Sequence, residues 1–345
     1  MASEHAFSEH LARVRAEVDG RLAPWLDARV VQAGERGAEV ATVADALRSL
    51  VLRGGKRLRA GLLGAAFEGC GGGASAQVAA AGAALELLQA YLLVHDDWMD
   101  GDAVRRGGPS VPAMMHDRFP HQAEAMSVLA GDLASAWSRE ALLELELPAE
   151  RVRAAAREMA TVEADVIAGQ ILDVQSAARD ARDVEAVHAL KTASYTVRAP
   201  VVMGARLAGA GDVQAAVLAA FARPLGVAFQ LRDDVLGTFG DERATGKPAG
   251  GDLVAGKRTA LVVDACTDPA AAAALGRVLG KRDATAKDRA AALAAVEASG
   301  ARERVEGRIA ALVHEARAAL DRAELTPQGR TLLDGAITAL TERER

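Results

Sequence analysis

Aspartates gather at two places in the chain: LLVHDDWMD carries Asp96, Asp97 and Asp100, and FQLRDDVLG carries Asp233 and Asp234. On a helix, Asp96 and Asp100 are one turn apart, so they share a face and can approach one ion together. Like charge crowded at a helix end, where the macrodipole is also negative, is unfavourable without a cation. Magnesium suits such a pair, because it keeps several waters and takes one or two carboxylates plus phosphate oxygens. Gln230 precedes Asp233 and Asp234 by three and four residues, so one helix face is expected to present an amide and two carboxylates.

Basic residues accompany both clusters. Arg105 and Arg106 follow the first, in a loop closed by Gly107, Gly108 and Pro109. Beside carboxylates they make ordinary ion pairs; beside a magnesium site they are also bidentate donors for phosphate oxygens. After the second cluster come Lys247 and Lys257, in TGKPAGGDLVAGKRT. This is not a Walker loop, since the GxxxxGK[ST] spacing is absent and no strand precedes it. It reads as a glycine-rich loop that brings lysines over an anion. A third basic element, GGKRLR, opens a helix expected over Lys56–Glu68, with Lys56 and Arg59 three apart on one face at its N-terminus. Such a turn is more often simply solvated. Lys191-Thr192 and Gln170…Asp173 are polar residues on otherwise apolar helices, and Asp173 could equally pair with Arg179 or a neighbouring helix.

The elements that must carry these residues are helices. The 345 residues are 50% hydrophobic and only 3% aromatic, with alanine and leucine supplying much of the apolar content. Helical periodicity recurs at Glu4–Asp19, Ala38–Leu52, Lys56–Glu68, Ala76–Asp100, Gln122–Leu145, Ala149–Ala177, Val184–Leu207, Val213–Phe239 and Asp252–Ala265, with shorter helices to Thr341. Glycine and proline clusters separate them, none long enough to link two domains. The expectation is all-α: one single-domain helical bundle over 1–345.

A net charge of −6 excludes general attraction to nucleic acid or an anionic membrane. Gly69 to Leu85, the longest uncharged stretch, is too short and polar to span a bilayer, so no stable membrane insertion is expected. Cys70 and Cys266 match no metal-ligand spacing, and charged residues occupy the N-terminus where a signal peptide would be apolar. These features read as a reduced, cytoplasmic protein.

Together the motifs GGKRLR, HDDWMD…RRGGP, GQILD, KTASYT, FQLRDD and GKPAGGDLVAGKRT resemble the trans-prenyltransferases of the polyprenyl (isoprenyl diphosphate) synthase family, in order from Gly54 to Thr259. The resemblance implies an all-α fold with a deep central cavity and a homodimer. It implies two substrates, isopentenyl diphosphate and an allylic diphosphate, and magnesium as cofactor, three ions per site held by Asp96, Asp100 and Asp233. Arg105, Lys191, Thr192, Gln230, Lys247 and Lys257 match its allylic-diphosphate ligands; Lys56, Arg59 and Arg106 match its isopentenyl diphosphate ligands. Asp97 belongs to the first aspartate motif, and the catalytic set is Asp96, Asp97, Asp100, Lys191, Thr192, Gln230 and Asp233.

Three departures stand out. Gly237 occupies the place of the second motif's third aspartate, for which Asp241 is one candidate replacement. Gln89 replaces a frequent histidine and can still donate to phosphate, and Ala60 replaces a proline. Chain length in the family depends on what closes the cavity below the first motif. Here that is Tyr91, five before Asp96, with Leu92 and Leu88 nearer the Asp96 face on an ideal wheel. An aromatic at the fifth position implies a C20 product, geranylgeranyl diphosphate, with farnesyl diphosphate or a longer chain as alternatives. Class I terpene cyclases and head-to-head synthases share the two acidic clusters but need no second diphosphate site for isopentenyl diphosphate. A non-catalytic regulatory subunit is the alternative of another class, and the intact first cluster argues against it.

Overall fold

The computed structural model describes residues 2–73, 76–175, 181–240, 249–281 and 283–342. In chain order they form α1 (Ala2–Arg36), α2 (Ala38–Leu52), α3 (Leu58–Gly69), α4 (Ala76–Asp100), a small hairpin of β1 (Val104–Arg105) and β2 (Gly108–Pro109), α5 (Val111–Arg118), α6 (Ala123–Leu143) and α7 (Ala149–Val174). Next comes a rod of α8 (Ala181–His188), a π-helical segment (Ala189–Arg198) and α9 (Ala199–Ala208). The remainder is α10 (Asp212–Phe239), α11 (Gly251–Val254), α12 (Ala260–Ala265), α13 (Pro269–Leu275), α14 (Ala286–Ala298), α15 (Ala301–Asp321) and α16 (Pro327–Thr341). The fold is all-α, as its composition and periodicity predict.

Helix α4 is the spine. Val78 to Leu88 is buried without interruption, and α4 packs along α6, the two contributing Ala83, Leu87, Ala130 and Ala134 to one buried cluster. The small side chains let helices approach closely, and buried leucines such as Leu85 and Leu87 contribute about 1.5–3 kcal/mol each. Helices α4 and α10 are long and apolar enough to cross a membrane, but 78% and 50% of their apolar windows is already buried within this fold.

Several expected boundaries move, and the helix expected over Val184–Leu207 is interrupted by the π-helical segment Ala189–Arg198. Helix α1 does not end at Asp19 but runs to Arg36 through Gly20 and Pro24. A helical proline costs about 3 kcal/mol. Val14, Val18, Leu22 and Leu26 form one fully buried stripe across the site, each offsetting a comparable amount, so packing wins. The helix expected over Asp252–Ala265 is two short ones, α11 and α12. Gly256 breaks it at φ +80°, and the Thr259 hydroxyl caps α12 by accepting from Val262 N–H at 3.3 Å.

The GGKRLR turn also differs from expectation, because Lys56 lies outside α3. Arg57 adopts a left-handed φ of 50° and caps the helix. Its guanidinium is buried, donating to Glu86 at 2.6 Å, Asp19 at 2.8 Å and the Val51 carbonyl at 2.9 Å. These bonds tie α1, α2 and α4 together and fix the turn. Losing one partner of such a buried pair costs about 3–5 kcal/mol.

Candidate active site

A cavity of about 500 Å3 opens between α4, α7 and the π-helical segment. Asp96, Gln170, Lys191 and Thr192 edge it, while Tyr91, Leu92, Val166, Ile167, Ile171 and Tyr195 make it apolar. Leu88, expected on this wall, is instead 2% exposed within the core. It lies eight residues before Asp96, about 12 Å further along α4, where the helix is enclosed on all sides.

The last turn of α4 divides its carboxylates. Asp96 Oδ1 receives Lys191 Nζ at 3.2 Å, and the same ammonium reaches Asp173 at 2.8 Å. Burial works to lower the pKa of Lys191, but Asp96 and Asp173 outweigh it and hold it above its ordinary value. Asp100 is raised by burial and then by the neighbouring Asp96 charge. Asp97, one position round the helix, turns inward and is fully buried. Arg105 Nε donates to it at 2.7 Å, with Nη2 also in contact, and Arg105 reaches Asp102 at 3.0 Å. Burial still raises Asp97 despite that partner, and its Oδ2 has none.

The π-helical segment holds the middle of the site. Its hydrogen bonds reach five residues back, as in Ala199 N–H to Ser194 O, a winding that recurs at functional sites. It is wedged between two glycines. A Cβ on Gly169 would stand 2.6 Å from the Lys191 nitrogen, and one on Gly226 would stand 2.5 Å from Ala193 Cβ. This is the structural use of the glycine in GQILD.

Three residues before Lys191, at the start of the segment, His188 Nε2 lies 3.6 Å from Asp234 Oδ2, so this one turn touches both acidic clusters. Asp234 is 5% exposed and accepts from Gln230 Nε2 at 3.0 Å, whereas Asp233 is half-buried. The expected shared face is therefore split: adjacent residues diverge around a helix, and only Asp234 pairs with the amide. Burial pushes the Asp234 carboxyl up to about 7 and lowers His188 to about 4. Lys257 pairs with Asp252 at 3.0 Å. Lys247 and Asp241 lie outside the described residues, as does the first half of the expected 246–251 lid.

The second basic set assembles nearby. Arg59 Nη2 donates to Thr196 Oγ1 at 2.8 Å, its guanidinium stacks 4.3 Å from the Tyr195 ring centroid, and its buried Nε has no partner. Arg106 follows a left-handed φ of 53° and runs within 3.7 Å of where a Cβ on Gly55 would be. Burial lowers its pKa; Glu86 opposes this, while Arg57, Arg59 and Arg105 add to it. Such mutual repulsion is relieved by an anion. Lys56 is exposed at the same turn, and Gln89 is half-buried on α4.

Among the described residues, no three His, Cys, Asp or Glu side chains converge into a ready metal cage. The donors fit magnesium in another way: carboxylates stand on two helices, the buried Asp234 Oδ2 among them is unpartnered, and magnesium needs only one or two carboxylates beside waters and phosphate oxygens. Several participants were not singled out from sequence. His188 lies in no motif; Arg57, Tyr195 and Asp252 lie inside the motifs GGKRLR, KTASYT and GKPAGGDLVAGKRT but carry no role there.

An all-α fold with an apolar cavity at the end of one acidic helix, a second acidic helix packed on the π-helical segment that edges the cavity, and basic residues around both, defines an isoprenoid-synthase type of enzyme. The polyprenyl synthetase family model matches residues 40–296, and the chain belongs to that family. It is 32% identical over 292 residues to geranylgeranyl diphosphate synthase of Methanosarcina mazei, covering 84% of this chain and 86% of the relative. It is 36% identical over 272 residues to geranylgeranyl diphosphate synthase of Mycobacterium tuberculosis, covering 75% of each. The crystal structure of geranylgeranyl pyrophosphate synthase from Corynebacterium glutamicum, complexed with isoprenyl diphosphate and magnesium, matches at a TM-score of 0.88 and 35% identity, over 96% of this chain and 99% of that one.

Proposed function

We propose that this prenyltransferase condenses isopentenyl diphosphate with an allylic diphosphate and releases mainly geranylgeranyl diphosphate. The observation that supports this best is that one apolar cavity has two separate basic elements at it: Lys191 on its rim, and Arg59, stacked on the cavity residue Tyr195, with Arg106 close enough to repel it. Condensation needs two diphosphates, whereas a cyclase needs one.

Asp96, Asp100 and Asp233 would hold magnesium, which when bound neutralises charge on the diphosphate leaving group. Arg105, Lys247 and Lys257 grip that group as the C–O bond of the allylic substrate ionises. Asp97 and Asp102 anchor Arg105 for this task. The Lys191 carbonyl and the oxygens of Thr192 and Gln230 then face the allylic cation without trapping it. With Gln230 Nε2 donated to Asp234, the amide's remaining polar end is its oxygen. Lys56, Arg59, Gln89 and Arg106 hold isopentenyl diphosphate while its alkene attacks, and the proton lost passes to the departed diphosphate. The apolar walls exclude water, which would otherwise quench the cation.

The test is mass spectrometry of products from purified protein, magnesium, isopentenyl diphosphate and each allylic primer. A C20 main product is expected; a C30 or longer one would overturn the chain-length assignment. Ionisation of the primer without consumption of isopentenyl diphosphate would instead favour a cyclase or head-to-head synthase. Asp96→Ala should abolish turnover with the melting temperature unchanged, and retained activity would count against the site. The reading includes a homodimer in the cytoplasm, supported by Leu129 and Leu143 exposed on α6 and by the free Cys70 and Cys266. Light scattering checks the assembly.

A further inference from the structure

Arg53 caps the C-terminal end of α2 and reaches across to the hairpin that carries Arg105 and Arg106. Its Nη1 donates to the Arg105 carbonyl on β1 at 3.0 Å and to the Pro109 carbonyl on β2 at 2.6 Å, bridging the two strands. Its Nη2 donates to Ser49 Oγ at 3.2 Å and lies 3.8 Å from Met114 Sδ on α5. The guanidinium fills the space over Gly108, where an added Cβ would stand 2.8 Å from Cζ. The hairpin needs such support. Each strand is 2 residues long, and Arg106 and Gly107 join them at φ of 53° and 71°. An isolated hairpin is marginal in water, and the left-handed region is unfavourable for a residue with a side chain. Hydrogen bonds from a charged donor are stronger than neutral ones, and the hydrogen-bond partners of Arg53 among the described residues are all uncharged. From this turn the two arginines diverge. Arg105 runs to Asp97 and Asp102 beside the first acidic cluster, and Arg106 runs past Gly55 to the Leu50 carbonyl at 3.5 Å.

We propose that Arg53 is a positioning residue shared by both diphosphate sites: its guanidinium locks the β1–β2 turn so that Arg105 serves the allylic diphosphate while Arg106 serves isopentenyl diphosphate. It acts through the backbone, holding the Arg105 carbonyl on one side of the turn and the Pro109 carbonyl on the other. Glycine at 108 is the condition for this, because a side chain there meets the guanidinium. The inference rests on the two-diphosphate reading of the site.

Calorimetry without turnover reads the two sites separately. Inorganic pyrophosphate with magnesium reports on the allylic site, and isopentenyl diphosphate without magnesium reports on the other, whose residues are all basic or amide. Arg53→Gln should weaken both ligands, each on the order of tenfold, as loss of a hydrogen bond from a charged donor does. Arg53→Lys keeps a charged donor and should recover part of both affinities. Gly108→Ala leaves Arg53 in place but displaces its guanidinium, so it should weaken both ligands too, and it serves as the test if Arg53→Gln does not fold. As controls, Arg105→Gln should weaken chiefly pyrophosphate and Arg106→Gln chiefly isopentenyl diphosphate. If Arg53 only stabilises the fold, Arg53→Gln would lower the melting temperature and leave both affinities alone, which overturns the proposal. Loss at one site alone also overturns it, since the shared turn is the claim. A wild-type protein that binds pyrophosphate but not isopentenyl diphosphate would overturn the two-diphosphate reading itself, and this inference with it.

Discussion

Arg105 Nε donates to Asp97 Oδ1 at 2.7 Å, and that carboxylate is fully buried while Asp96 lines the cavity and Asp100 is exposed. The central aspartate of the first motif is thus a structural anchor for a basic residue. Removing the partner of a buried charge costs about 3–5 kcal/mol, and Arg105 is partly exposed, so the lower end applies. Arg105→Ala should lose about 3 kcal/mol in chemical denaturation as well as turnover. Adding Asp97→Asn should recover most of the stability and none of the activity.

Lys191 is a counter-ion to Asp96 and Asp173 in the absence of substrate. Its removal leaves Asp96, Asp100 and Asp173 repelling one another. Lys191→Ala should therefore bind magnesium alone several-fold more tightly, yet bind pyrophosphate more weakly and turn over slowly. Calorimetry with each ligand separately reads the two signs.

His188 and Asp234 should bend the pH–stability profile of the metal-free protein in opposite directions. Desolvation lowers His188 from 6.5 to about 4, so between those values the unfolded chain binds the extra proton and stability rises with pH. Desolvation raises Asp234 from 3.8 to about 7, so there the folded protein binds the extra proton and stability falls as pH rises. The two nearly cancel from about pH 4 to 6.5. Asp252, Lys257, Asp173, Glu185 and Lys191 surround the pair. Asp234→Asn should leave a stability that climbs with pH over that window, and His188→Gln one that declines, each by about 1.4 kcal/mol per pH unit. Melting curves from pH 4 to pH 7 would show it; parallel profiles for both variants would reject the assignment.

The floor of the cavity gives a size test. Tyr91 packs edge-on to His95 at 4.9 Å between ring centroids, and His95 Nε2 sits 3.1 Å from the Val128 carbonyl on α6. A Cβ on Gly131 would be 3.1 Å from His95 Cε1 and nearer still to Nε2. Tyr91→Ala should lengthen the product, and Gly131→Ala should push His95 into the cavity and shorten it. Chromatography of radiolabelled products reads both; an unchanged distribution rejects Tyr91 as the floor.

Much of this was legible in the chain. The long apolar runs of α4 and α10 end in aspartates and glycines, and both helices form with the expected bounds to within a residue. Local breakers misled at Gly20 and Pro24, where a distant core overrode them. Lys56 was misplaced because a left-handed Arg57 depends on Glu86 and Asp19, which are remote in sequence. The π winding leaves no trace in a 3.6-residue pattern. Asp252 in the space beside Gly237 is a contact between segments, invisible to spacing.

Wedging the catalytic segment between Gly169 and Gly226 has a consequence for engineering. Replacing helical glycine by alanine ordinarily stabilises by about 1 kcal/mol. At Gly20, Gly34 and Gly307, where nothing lies within 4 Å of an added methyl, that gain should be realised. At Gly169 and Gly226 the same methyl would meet the backbone of Lys191 and of Ala193, so its sign inverts and the whole segment must shift. A thermostabilisation campaign guided by helix propensity alone would harden the periphery of this enzyme and derail its centre.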